Sequence, residues 1–169
     1  NPDEKVTAVI PLKDVDTSNY LFLATKLGTV KKTALSEFDN IRKGGLIALS
    51  LDSKDELIAV RLTDGKRTVM LCTKSGRCVH FPEEQVRAMG RPARGVRGVN
   101  LEANDELIGM DIDEPGKEIL IVTTKGFGKT TPVDEFPIHS RGGKGVLAIK
   151  TSKRNGSVAA IRMVDRADE

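Results

Sequence analysis

Gly45-Leu46-Ile47-Ala48-Leu49, Gly95-Val96-Arg97-Gly98-Val99 and Gly145-Val146-Leu147-Ala148-Ile149 are one motif written three times, a glycine opening an apolar run at intervals of about 50 residues. Working outward, other landmarks keep the same register. Asp55-Glu56-Leu57-Ile58 returns as Asp105-Glu106-Leu107-Ile108, with looser copies at Asp3-Glu4-Lys5-Val6 and Asn155-Gly156-Ser157-Val158. A hairpin-type turn ends at Gly28, Gly76 and Gly126, and an apolar residue follows in phase at Phe38, Val86 and Phe136. The chain therefore divides into repeats at about 3–54, 55–104 and 105–155, with the start of another at 156–169.

Each repeat carries four short stretches with strand character. In the second they are Leu57 to Leu62, Thr68 to Thr73, Arg77 to Phe81 and Gly95 to Leu101. The first repeat gives Val6 to Leu12, Tyr20 to Thr25, Thr29 to Thr33 and Leu46 to Leu51; the third gives Leu107 to Ile112, Glu118 to Thr123, Gly128 to Pro132 and Val146 to Lys150. The best helical candidate, Glu83 to Met89, amounts to about two turns. Four strands per repeat predict an all-β, propeller-like array of four-stranded antiparallel blades packed face to face. Three or four such blades form an arc, so the chain reads as part of one longer array. Composition agrees: 38% of residues are hydrophobic but only 4% aromatic, with no Trp, leaving Val, Ile and Leu to build the interior.

The net charge of +3 and pI near 8.9 are too mild to announce a partner; the distribution says more. Val86 to Leu101 holds Arg87, Arg91, Arg94 and Arg97 with no acid, and Pro137 to Val164 holds Arg141, Lys144, Lys150, Lys153, Arg154 and Arg162 with no acid. By repeat, cations gather in two places. One is the turn and the strand after it: Lys26, Lys31 and Lys32; Lys74 and Arg77; Lys125 and Lys129. The other is the long connection: Arg42 and Lys43; Arg91, Arg94 and Arg97; Arg141 and Lys144. Equivalent positions line up around an array, so these predict a curved positive band suited to a phosphate backbone.

Catalytic and metal motifs fail on inspection. Gly126-Phe127-Gly128-Lys129-Thr130 ends like a P-loop, but Thr123 stands where that pattern needs glycine. His80 and His139 lie in different repeats without paired cysteines and read as surface histidines. Tyr20 begins an apolar strand and reads as core. Cys72 and Cys78 flank one turn, could approach across it, and read as reduced thiols. No apolar run approaches membrane-spanning length. Arg141-Gly142-Gly143-Lys144-Gly145 is the loop best suited to phosphate, with Gly145 read instead as a backbone requirement shared with Gly45 and Gly95.

Ala24-Thr-Lys-Leu-Gly-Thr-Val-Lys-Lys-Thr33, Val86-Arg-Ala-Met-Gly90 continuing to Gly95-Val-Arg-Gly98, Lys125-Gly-Phe-Gly-Lys129 and Ser140-Arg-Gly-Gly-Lys-Gly145 together resemble the C-terminal domain family of bacterial DNA gyrase A proteins. The resemblance implies a six-bladed β-pinwheel, a propeller relative whose neighbouring blades exchange strands and whose outer rim binds and wraps duplex DNA in support of negative supercoiling. It implies the rest of the gyrase A protein and the gyrase B protein as partners, and a bacterial cytoplasmic, nucleoid-associated setting. Cleavage belongs elsewhere in the gyrase A protein, and ATP and Mg2+ serve the holoenzyme, so no catalytic group or cofactor is expected in this chain. The DNA-binding residues expected are those of the two cation groups together with Arg87, Lys153 and Arg154. The family's signature heptad, Gln-(Arg/Lys)-Arg-Gly-Gly-(Arg/Lys)-Gly, has its nearest match in His139-Ser140-Arg141-Gly142-Gly143-Lys144-Gly145, which departs at its first two positions and lies in a later repeat. That departure suggests a fragment of middle blades. The paralogous topoisomerase IV domain and a propeller-type protein-interaction module stand as alternatives; WD40 or kelch repeats would carry tryptophan or aromatic signatures, and this chain has no Trp.

Overall fold

Alternating Val, Ile, Leu and Thr between glycine-containing turns give short extended segments that cannot bury both faces alone, so they must stack. A computed structural model describes residues 6–11, 18–39 and 44–167. Its strands are β1 (Tyr20–Thr25), β2 (Thr29–Ala34), β3 (Leu57–Thr63), β4 (Thr68–Thr73), β5 (Arg77–Pro82), β6 (Val96–Arg97), β7 (Leu107–Ile112), β8 (Glu118–Thr123), β9 (Gly128–Pro132), β10 (Val146–Leu147) and β11 (Val158–Val164). All the sheet pairs are antiparallel.

The blades are not the four strands of one repeat. The first sheet runs β3-β1-β2-β6, the second β10-β5-β4-β7 and the third β11-β8-β9. Each hairpin thus keeps its own two strands and takes its outer partners from the repeat that follows, the strand exchange that the family resemblance implied. Sequence grouping missed this because repeats are adjacent in the chain whichever sheet they join.

Other expectations are corrected as well. Residues 6–11 and 45–51 are not in strands, and Leu12 lies outside the described residues. The stretches from Gly95 and from Val146 pair over two residues only, at β6 and β10. Glu83 to Met89 shrinks to a single 3-10 turn, Glu83–Gln85, because Val86 already has extended dihedrals.

Two interiors result. Val69 and Leu71 of β4 face Phe22, Ala24 and Val30 of the first sheet, while Met70 and Cys72 face Ile119 and Ile121 of the third. Alternation along one strand serves both cores, which is why β4 reads as an unbroken apolar run. The inner strands β3, β7 and β11 pack in succession, tied by Asp111, whose Oδ1 accepts from Arg61 Nε at 2.9 Å and whose Oδ2 accepts from Met163 N at 2.9 Å. This leaves β6 and β10 on the opposite, outer edges of their sheets.

The acidic repeat starts act as latches. Lys26 N donates to Glu56 O, Lys74 N to Glu106 O and Thr124 N to Ser157 O, each at 2.8 Å. Asp55 Oδ1 accepts from Leu27 N at 2.9 Å, and Asp105 Oδ1 from Ser75 N at 3.0 Å. Each hairpin turn is held by the start of the next repeat.

Candidate nucleic-acid interface

The long connections carry the outer edge. Gly98 N donates to Gly28 O at 2.8 Å and Ala148 N to Gly76 O at 2.9 Å, so each connection straps over the preceding hairpin turn. Two glycines make the close approach possible. A Cβ on Gly95 would lie 2.5 Å from Val30 O, and one on Gly145 only 2.2 Å from Cys78 O, with both φ angles positive. Gly45 shares the positive φ but has open space around it.

Arg141 is a clamp within the Arg141–Gly145 loop. Its Nε donates to Gln85 O and its Nη1 to Arg97 O, both at 3.0 Å, while its backbone N donates to Gln85 Oε1 at 2.8 Å. Gly142 N and Gly143 O bond Gly98 O and Asn100 N. Arg91, one repeat earlier, makes the equivalent reach to Ile47 O at 3.4 Å. Arginine suits this task because its planar fork can reach two carbonyls at once. Gln85 escaped sequence reading; the one-repeat spacing of Arg91 and Arg141 was the available signal.

The predicted cations therefore sort into groups. Arg87, Arg94, Arg97 and Lys144 are exposed on the outer connections. Arg94 pairs with Asp52 at 2.8 Å, but both side chains are largely exposed, so the pair holds the guanidinium weakly. Lys144 and Arg77 share Glu102, at 4.0 and 3.8 Å. His139, Ser140 and Gly143 are exposed on the same loop.

Two predicted contacts are overturned. Lys31 is wholly buried, its Nζ donating to Ala48 O at 2.8 Å and to Arg91 O, and desolvation first, then Arg91, push its pKa down. Lys32 is buried beside the fully buried Glu83 carboxylate, its Nζ donating to Glu83 O at 3.0 Å and lying 5.2 Å from the Tyr20 ring centroid. Both ammonium groups tie connections together and neither faces the rim. Arg42 and Lys43 lie outside the described residues.

The turn cations differ from one repeat to the next. Lys26 lies 3.6 Å from both Glu56 and Glu106, and Lys74 is 2.8 Å from Glu106. The hydrogen bond between Lys74 and Glu106 raises the lysine's pKa and lowers the carboxyl's. In the third repeat Asn155 and Gly156 replace the acid pair. Lys125, Lys129, Lys153 and Arg154 are all exposed there, with Lys125 Nζ donating to Lys153 O. Exposed Phe127, which sequence reading passed over, lies 5.8 Å under the Arg154 guanidinium, and exposed Lys150 adds to the same region. The Gly-Phe-Gly setting was its signal, absorbed into the failed P-loop reading.

His80 also departs from expectation. It is buried, with Nδ1 3.0 Å from Phe136 O and Nε2 3.2 Å from Asp113 Oδ2, and it joins the second and third repeats from inside. Among the described residues no helix is long and apolar enough to cross a membrane.

A family model described as the DNA gyrase C-terminal domain, beta-propeller, matches residues 19–64, 67–112 and 117–165. The DNA gyrase A protein of Clostridium acetobutylicum is 51% identical over the whole chain, and that of Salmonella typhimurium 46% identical over 99% of it. The chain spans only 20% and 19% of those relatives. Among solved structures, the C-terminal domain of DNA topoisomerase IV superposes with a TM-score of 0.90 at 28% identity, covering 98% of this chain and 52% of that one. A DNA gyrase A C-terminal domain gives 0.82 at 26%, covering 91% and 52%. Three matched repeats that exchange strands, and relatives near half identity along the full length, place this chain in the DNA gyrase C-terminal domain family of β-propellers.

Proposed function

We propose that this chain binds and bends duplex DNA, without sequence preference, along the outer edge of its blades, as the non-catalytic DNA-wrapping part of a gyrase A protein. The observation that carries the reading is the recurrence of exposed cations on the outer connections, Arg94 and Arg97 in one repeat and Lys144 in the next, seated by glycine-dependent straps. Cations at equivalent positions of a curved array follow a bent phosphate backbone, and backbone contacts position without reading sequence. The relatives near half identity are gyrase A proteins, which favours gyrase over topoisomerase IV. In that setting the remainder of the gyrase A protein and the gyrase B protein are the partners, ATP and Mg2+ act in the holoenzyme outside this chain, and the compartment is the bacterial cytoplasm at the nucleoid. Repeats at about 3–54, 55–104 and 105–155 then form one stretch of a longer pinwheel.

A gel shift with unrelated duplex sequences over a salt series tests this. The logarithm of affinity should fall linearly with the logarithm of salt, by about 0.9 per phosphate neutralised, and equally for each sequence. Affinity insensitive to salt, or confined to one sequence, refutes the reading and favours a protein-interaction module.

A further inference from the structure

Cys72 near the end of β4 and Cys78 near the start of β5 are direct register partners across the turn at Lys74 to Gly76. Both thiols are free and buried. Cys78 Sγ donates to Cys72 Sγ at 2.9 Å, and Cys72 makes a weak contact of 3.9 Å with Thr73 O. A disulfide needs a sulfur separation of about 2.05 Å and Cβ atoms about 3.5–4.5 Å apart, and directly opposed strand residues hold theirs about 4.5–5.5 Å apart, so closing the bond draws the two strands slightly together. Nothing in the DNA-binding reading uses this pair.

We propose that Cys72 and Cys78 are a modification site, a reversible dithiol and disulfide couple that a two-electron oxidant such as hydrogen peroxide closes within one chain. One thiol loses its proton and its sulfur attacks a peroxide oxygen, breaking the O–O bond; the departing hydroxide takes up the proton as water and leaves a sulfenic acid. The second sulfur then attacks the first, the S–O bond breaks, and the hydroxyl leaves as a second water with the second thiol's proton. Two thiols are oxidised and one peroxide is reduced to two waters.

The hydrogen bond to Cys72, with burial, pushes the Cys78 thiol well above its usual range, so reaction proceeds through opening of the hairpin. On the outer edge of β5 the cover there is the two-residue strand β10. The bridge would fix the strand on which Gly145 and Val146 seat, because Val146 pairs with Cys78 and Gly145 rests against Cys78 O. A reducing thiol reopens it by exchange.

The reduced chain is treated with hydrogen peroxide, natively and in denaturant, then blocked with a maleimide in denaturant and weighed. Two adducts are expected before oxidation. After it, no adduct, a mass lower by two hydrogens and monomer mobility without reductant are expected, and Cys72→Ala should never show that mass loss. The chain bridged in denaturant is then refolded and melted; it should melt no lower than the reduced chain, with dithiothreitol restoring both thiols. A lower melting point, bridges only between chains, or over-oxidation of one sulfur without a bridge overturns the proposal.

Discussion

Replacing Arg141 with alanine separates two roles that one side chain holds. The substitution removes the Nε bond to Gln85 O and the Nη1 bond to Arg97 O, both at the exposed boundary between consecutive connections. Net values near 0.5–1.5 kcal/mol per bond, taken toward the low end for this exposure, give a loss of about 1–2 kcal/mol. For a chain of this size that corresponds to a melting shift of roughly 2–8 °C. Arg141→Lys retains the charge but not the fork, so it should lose nearly as much stability while keeping most of the DNA affinity. Urea unfolding and a salt-series gel shift on all three proteins measure both quantities. A mere phosphate ligand would behave differently: Arg141→Ala would unfold at the parent's urea midpoint while the salt slope fell by about 0.9, and that outcome refutes the clamp.

Gly145→Val should cost more than about 3 kcal/mol in urea unfolding, because its Cβ would meet Cys78 O and its φ is left-handed; Gly45→Val, strained in φ but uncrowded, should cost only about 1–2 kcal/mol, and equal losses would contradict the strap geometry. Lys125→Ala with Arg154→Ala should flatten the salt slope more than Lys26→Ala with Lys74→Ala, since the latter two cations already hold carboxylates; the reverse order would remove the third turn from the interface. Glu106 has its folded pKa depressed, chiefly by Lys74, so its contribution is present above the ordinary carboxylate range and is lost as pH falls through the folded value. Melting from neutral to acid should therefore fall less steeply for Glu106→Gln than for the parent, and parallel curves would count against the pair.

The hairpins were legible because they are local. β1, β4, β7 and β8 occupy the stretches expected of them from apolar character, β9 the stretch marked by equivalence with the second repeat, and β5 overruns its stretch only to Pro82. The partner of each hairpin was not legible, since β7 lies beyond the whole long connection from β5 yet pairs with β4. Periodicity records which residues are extended, whereas exchange between repeats depends on how stacked sheets share faces. The short span of β6 had a similar cause. After Arg97 the chain leaves the ladder so that Gly98 and Val99 can both donate to Gly28 O, and an apolar run bent over a turn looks the same in sequence as a strand.

Charge gives the complementary lesson. Lys26, Lys74 and Lys125 sit in the hairpin turns of successive repeats, yet the first two hold glutamates and the third is exposed. What distinguishes them is the neighbour. Where Glu56 and Glu106 follow a turn, its lysine closes the array; where Asn155 and Gly156 follow, the cations keep their charge for another partner. Acids at the repeat starts thus set how much positive potential each blade shows, because a paired ammonium attracts a phosphate far less than an unpaired one at the same place. The residues that open each repeat therefore decide whether the turn before them keeps its lysine paired, as at Lys26 and Lys74, or leaves it exposed, as at Lys125.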